Sequence, residues 1–223
     1  NKQGLYSPYI FPAVSILDAA ITQSMPPELT ASTGMDALAH AIEAYTSRSA
    51  NHLSDATSEK AIELIAGNLP TAVKNGQNLS ARQAMALASA LAGASITHAG
   101  VTAAHGFSMS LGGLFDLPHG LATGLLLPAL MEYNRNAVPH KFDRIALICK
   151  QANPEFFKKA DSAAEMVSLL MKEIGIPTRL SALRIKSEDI EKIVDDCLQR
   201  GDFANNPASF TRQEALAFLR KIL

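Results

Sequence analysis

From Pro26 to the end of the chain, apolar residues recur at three- and four-residue spacing, and the pattern is broken only where Gly, Pro or Asn cluster. That periodicity belongs to amphipathic α-helices, and so little of the sequence departs from it that a large sheet has no room to form. The spacing predicts helices from Pro26 through Tyr45 and from Asp55 to Leu69, the latter continuing past Pro70 to a stop at Asn75-Gly76. Ser80 is expected to cap an Ala-rich helix from Ala81 to about Ala99. Another, opened by Leu117-Pro118-His119-Gly120, reaches Asn134. The last four run over Pro139–Lys150, Ser162–Ile174, Ser187–Arg200 and Thr211–Leu223, with Thr211 and Glu214 spaced for a capping box. Only the stretch around Tyr9–Asp18 reads differently. Its β-type residues suggest one short strand, Ala13 to Leu17. A lone strand leaves its backbone groups unpaired, so its partner sheet is expected in sequence lying before Asn1. The expected fold is mainly α, a multi-helix bundle with one N-terminal strand: residues 1–25 as linker and strand remnant, 26–223 as the helical domain. No 20-to-50-residue period repeats, which excludes a solenoid.

Composition removes several classes of function. Among 223 residues, 20 Lys and Arg balance 21 Asp and Glu, a formal net charge of −1 that supplies no field for nucleic acid or an anionic membrane surface. Gly120 to Leu130 is the most Leu-rich run, and it is shorter than the roughly 18 residues a membrane span needs. The N-terminal residues do not read as a signal peptide, and none is expected. Cys149 and Cys197 each sit in an apolar helical pattern without a CxxC, which reads as two buried free thiols in a reducing, cytoplasmic compartment.

Two groups of residues can do chemistry. Asp36 and His40 are four apart on a predicted helix, so they leave one face with Cβ atoms about 5–6 Å apart. A carboxylate oxygen and an imidazole nitrogen at that reach can share a metal at about 2.0–2.2 Å each. An Asp–His hydrogen bond on a solvated surface is the plainer alternative, and the Ala, Leu and Ile around the pair argue against it. His105 and His119 form the second group. Gly112-Gly113 and Pro118 between them permit a turn that brings both imidazoles to one point, although spacing alone does not distinguish this from coincidence. One carboxylate with three neutral nitrogens suits Fe(II) or Zn(II) and suits Mg or Ca poorly. His98, two turns before His105, reads as a buried, hydrogen-bonded side chain, and His52 and His140 as surface residues.

The run Thr30-Ala31-Ser32-Thr33-Gly34-Met35-Asp36-Ala37-Leu38-Ala39-His40-Ala41-Ile42-Glu43-Ala44-Tyr45 resembles the first metal motif of the iron-containing alcohol dehydrogenases. His105-Gly106 and Leu117-Pro118-His119-Gly120 are similar to the later ones, at the same interval of 14. Leu125-Leu126-Leu127-Pro128, Asn134 and Ile174-Gly175-Ile176-Pro177 extend the likeness to nearly the whole chain. The resemblance implies a protein of two halves: an N-terminal α/β domain that binds NAD or NADP, and a helical domain, like that of dehydroquinate synthases, that carries the metal. It implies Asp36, His40, His105 and His119 as ligands, Leu29 as a residue against the cofactor unless it is a plain core Leu, and a small alcohol or aldehyde as substrate. This chain then pairs with its own N-terminal domain, and a homodimer is open. Many members carry a His four residues after the third ligand, where this chain has Met109, so the proton-relay role of that His is in doubt here. Two other readings stand beside it: a zinc enzyme akin to glycerol dehydrogenases, disfavoured by the Asp-x3-His pair, and a metal-binding or oligomerisation fragment without catalysis of its own.

Overall fold

The computed structural model describes residues 7–199 and 201–223, and helices account for most of them. Among the described residues ten α-helices follow in order: α1 (Pro27–Thr46), α2 (His52–Lys74), α3 (Leu79–Ala99), α4 (Ala103–Phe115), α5 (His119–Asn134), α6 (Pro139–Ala152), α7 (Pro154–Phe157), α8 (Ala163–Glu173), α9 (Ile190–Cys197) and α10 (Arg212–Lys221). Local chemistry sets many of their ends. Pro27 opens α1 with Glu28 in its first turn, where a missing N–H costs nothing and an acid meets the positive end of the helix dipole. Capping boxes start α2 at Asn51 and Ser54, α8 at Ser162 and Glu165, and α10 at Thr211 and Glu214, the last as expected. Pro70 stays inside α2, which ends at Lys74. Asn78, rather than Ser80, caps α3: its side chain accepts from the Ala81 N–H at 3.0 Å. The expected end of the ninth helix at Arg200 lies outside the described residues; α9 itself is shorter, because Ser187–Asp189 forms a separate 3-10 turn before it.

The expected strand does not form. Residues 13–17 have no regular structure, and no strand occurs among the described residues. Val14, Ile16 and Leu17 are 76 %, 86 % and 52 % exposed. The physical reason is that strand hydrogen bonds come from a neighbour, and helices offer none. Residues 1–6 of the expected N-terminal segment lie outside the described residues.

Two apolar cores organise the helices. The first holds Met35, Ile62, Leu69 and Met166 among others, from α1, α2, α3, α6 and α8; the second holds Phe107, Leu126, Ile193 and Leu219, from α4, α5, α9 and α10. α5 belongs to both, with Leu127 and Met131 facing one and Leu125, Leu126 and Leu130 the other. Its start lies hard against α1, because a Cβ on Gly120 would stand 2.2 Å from the Ser32 carbonyl oxygen. After α3, Gly100 takes φ 69° and the chain turns by 105° into α4. Gly reaches that left-handed backbone without the steric cost of a side chain. These approaches bring the beginnings of α4 and α5 to the middle of α1. No single helix among the described residues is long and apolar enough to cross a membrane.

Candidate metal centre

α1 carries Asp36, His40 and Glu43 at helical positions i, i+4 and i+7, one above another on the face turned toward α4 and α5. Asp36 Oδ2 lies 3.9 Å from His40 Nδ1. His105 occupies the first turn of α4, and its Nε2 is 3.7 Å from Asp36 Oδ1. His119, the first residue of α5, brings its own Nε2 to 3.6 Å from the same oxygen. The His40 and His105 rings stack with centroids 4.4 Å apart, and His119 meets His105 edge-on at 5.2 Å. Ligand-type atoms of Asp36, His40 and His105 all lie within 4.8 Å of one another, while His119 approaches the group through Asp36. Three helices from two cores therefore converge on one carboxylate.

The pocket is asymmetric. His105 is nearly enclosed, its side chain 7 % exposed, whereas Asp36, His40 and His119 keep 23 %, 23 % and 27 % and mark an open side. Inside, Asp36 Oδ1 and His105 Nε2 are buried and have no hydrogen-bond partner among the described residues. A buried polar atom left without a partner costs about 1–3 kcal/mol, so two such atoms facing each other need a physical reason. A cation between them supplies one, and one anionic oxygen with imidazole nitrogens is the donor set that divalent iron and zinc accept.

Charge states follow from the surroundings. Burial, then the neighbouring His105, pushes the His40 pKa down to about 4, which leaves a neutral ring near pH 7. Burial also works against a charged His105, and the adjacent Glu43 carboxylate outweighs it and raises that pKa above the ordinary histidine value. For Glu43, burial favours the neutral acid, but the His105 ring, the Thr102 hydroxyl and the Ala104 N–H together hold the carboxyl below its usual range.

Glu43 escaped the sequence reading as a site residue. It is 3 % exposed and gathers donors from the beginning of α4: the Thr102 hydroxyl at 2.6 Å, the Thr102 N–H at 3.2 Å and the Ala104 N–H at 2.7 Å, with His105 Nδ1 on its other oxygen. The available signal was an acid in register with Asp36 and His40, flanked by Ile42 and Ala44. Two expectations need correction. Leu29 is not a core residue: it is 47 % exposed, seven residues before Asp36 on α1. His98 is exposed rather than buried, because the turn at Gly100 separates the end of α3 from the start of α4. His52 and His140 are exposed and both cysteines are buried, as expected, and neither forms a disulfide. Met109 sits half-buried on α4, one turn after His105.

Comparison with known proteins gives a consistent result. Residues 30–223 match the sequence profile described as "Fe-containing alcohol dehydrogenase family, C-terminal". A 1,3-propanediol dehydrogenase of Klebsiella pneumoniae is 41 % identical over 212 residues, which cover 94 % of this chain and 55 % of that protein. A crystal structure of a 1,3-propanediol oxidoreductase superposes with a TM-score of 0.85 at 39 % identity, over 92 % of this chain and 55 % of the other. A sulfoacetaldehyde reductase from Bifidobacterium kashiwanohense, solved in complex with NAD+, gives 0.87 at 32 % identity over 97 % and 56 %. The chain thus spans about half the length of the relatives it matches.

Proposed function

The chain belongs to the Fe-containing alcohol dehydrogenase family, and from that premise we propose that it is the metal-binding part of an oxidoreductase that interconverts an alcohol and an aldehyde or ketone with NAD or NADP. The observation that carries the reading is the facing pair of buried, unpartnered atoms, Asp36 Oδ1 and His105 Nε2, with His40 and His119 beside them. Asp36, His40, His105 and His119 would hold a divalent ion; Fe(II) is our choice and Zn(II) the alternative. Such an ion, when bound, lowers the pKa of an alcohol or polarises a carbonyl oxygen. The nicotinamide would supply hydride transfer.

This chain's residues do the rest by position and charge. Asp36 brings the one carboxylate that all three imidazoles approach. His40, kept neutral by burial, offers a ligand nitrogen with no proton to displace. The partly exposed side formed by Asp36, His40 and His119 leaves a route for a small substrate. Met109, on the turn after His105, presents a thioether instead of an ionisable ring to that neighbourhood, so it cannot relay a proton.

We assign the α/β cofactor domain to the part of the protein that residues 1–25 join to the helical domain. Support comes from Val14, Ile16, Leu17 and Ile21, large apolar side chains left in water within that segment, as surfaces that meet another body are. Leu29 continues this exposed set onto α1, which is the basis for placing it near the cofactor. The NAD+ complex of the similar reductase supports the choice of cofactor class. The cytoplasm is the compartment that two buried cysteines outside any disulfide favour.

His119→Ala in the intact protein tests the reading. Alcohol oxidation should fall by orders of magnitude, and bound metal should drop with it. Wild-type turnover at full metal content would refute the ligand assignment.

A further inference from the structure

The four ligands of the proposed centre come from three helices, with α1 far along the chain from α4 and α5, and something must hold the His105 ring while α4 is held to α1. One buried side chain touches both. Glu43 lies seven residues after Asp36 on α1, and its Oε1 receives the Thr102 hydroxyl and the N–H groups of Thr102 and Ala104. The two N–H groups are among the open donors at the beginning of α4, whose Ala103 N–H goes instead to Asn206 Oδ1. Thr102, the N-cap residue, makes no capping hydrogen bond with its own side chain, so the cap is supplied by another helix. The second carboxylate oxygen, Oε2, meets His105 Nδ1.

We propose that Glu43 is the positioning residue of the centre: a single carboxylate that docks the start of α4 onto α1 and fixes His105 with its proton on Nδ1, so that Nε2 faces Asp36 as a bare lone pair. An ionised carboxylate only accepts hydrogen bonds. A ring nitrogen bonded to it must therefore carry hydrogen, and the other nitrogen is left to bind. The unpartnered His105 Nε2, 3.7 Å from Asp36 Oδ1, is the atom this arrangement exposes. Carboxylate partners of metal-bound imidazoles act in this way, and their loss typically weakens metal binding by about 10–100-fold. The inference rests on the metal reading above, and it adds that α1 supplies two ligands together with the anchor of a third.

Glu43→Gln separates positioning from mere capping. Its amide oxygen can keep the α4 donors, but the amide NH2 then points at Nδ1. His105 must answer with a lone pair there and carry its proton on Nε2, toward Asp36. The reversed amide sets NH2 against the N–H groups of α4, donor against donor. Zinc(II) and, without oxygen, iron(II) would be titrated into the metal-stripped intact protein against a chelator. Nitrogen NMR of the histidine rings would be read in the zinc-bound form. We expect Glu43→Gln to bind zinc about 10–100-fold more weakly than wild type while keeping its circular dichroism, and zinc-bound wild type to show a slowly exchanging Nδ1 proton on His105.

Zinc affinity within about threefold of wild type in a folded Glu43→Gln protein would overturn the proposal, since a cap alone would be preserved by the swap. If the variant fails to fold, the wild-type spectrum decides: a His105 without an Nδ1 proton overturns it. Failure of the metal reading shows separately, as wild type that binds neither ion before any substitution, and the positioning role falls with it.

Discussion

At the residue scale the site is built from histidines of opposite character. His40 loses its charge to burial and to its neighbour, so it titrates only near pH 4 and offers no proton competition near neutrality. His105 is raised above the ordinary value because Glu43 outweighs burial, so a proton competes for its ring to higher pH than on an ordinary histidine. A metal needs the neutral ring, and raising the pH through the His105 pKa removes the competing proton. Zinc affinity, followed by chelator competition from the ordinary histidine value of about 6.5 upward, should therefore tighten as pH rises and level off once His105 is deprotonated. A flat profile would remove His105 from the ligand set. Cys149 and Cys197 take no part: each is buried in a helix, and burial pushes the Cys149 thiol up to about 12.

Among the elements, the start of α5 decides most. Gly120 follows His119 directly, and the Ser32 carbonyl of α1 fills the space where a Cβ would stand, 2.2 Å away. That neighbour is backbone, so it cannot rotate aside as a flexible side chain would. Gly120→Ala should push α5 off α1, costing about 1–3 kcal/mol of stability by urea unfolding, in the range of an overpacked core. It should also carry His119 away from Asp36, so zinc binding should weaken in the same protein. A variant that lost stability with metal affinity intact would mean that His119 does not depend on this approach. α4 is held differently, by Glu43 from α1 at its start and by Phe203, whose ring would meet a Cβ on Gly106 at 2.5 Å. Capping boxes at α2, α8 and α10 set where those helices begin and have no part in the site.

Across the whole molecule, the proposed ion would sit where two cores meet. α1 belongs to the first core, α4 to the second and α5 to both. A ligand that binds only the folded form stabilises it by about 2.7 kcal/mol at a hundredfold excess over its dissociation constant. Zinc added to metal-stripped protein should therefore raise Tm by several degrees, and the shift should vanish in His119→Ala. An unchanged Tm for wild type at saturating zinc would show that the three helices are not joined through an ion. The same scale bears on the N-terminal segment, where the helices leave apolar residues such as Val14 and Ile16 76 % and 86 % exposed.

Sequence alone determined what short-range physics controls. Helical periodicity, the Thr211–Glu214 box, the stop at Asn75-Gly76 and the Asp36–His40 pair all depend on residues within a turn or two, where the i to i+4 hydrogen bond fixes geometry regardless of the rest of the fold. The buried state of both cysteines was legible for the same reason. What depends on distant partners was not. Residues 13–17 have strand-forming side chains but no neighbour to pair with, so they remain irregular. Leu29 and His98 proved exposed because packing, and not local pattern, decides which face of a helix is covered. Only the tertiary structure brings His105 and His119 to Asp36, 69 and 83 positions along the chain, and only it turns Glu43 from an acid on an apolar face into the side chain that holds a ring. The reason is that convergence is set by the turn at Gly100 and by how closely α5 can approach α1 at Gly120, and no local hydrogen-bond rule encodes that distance.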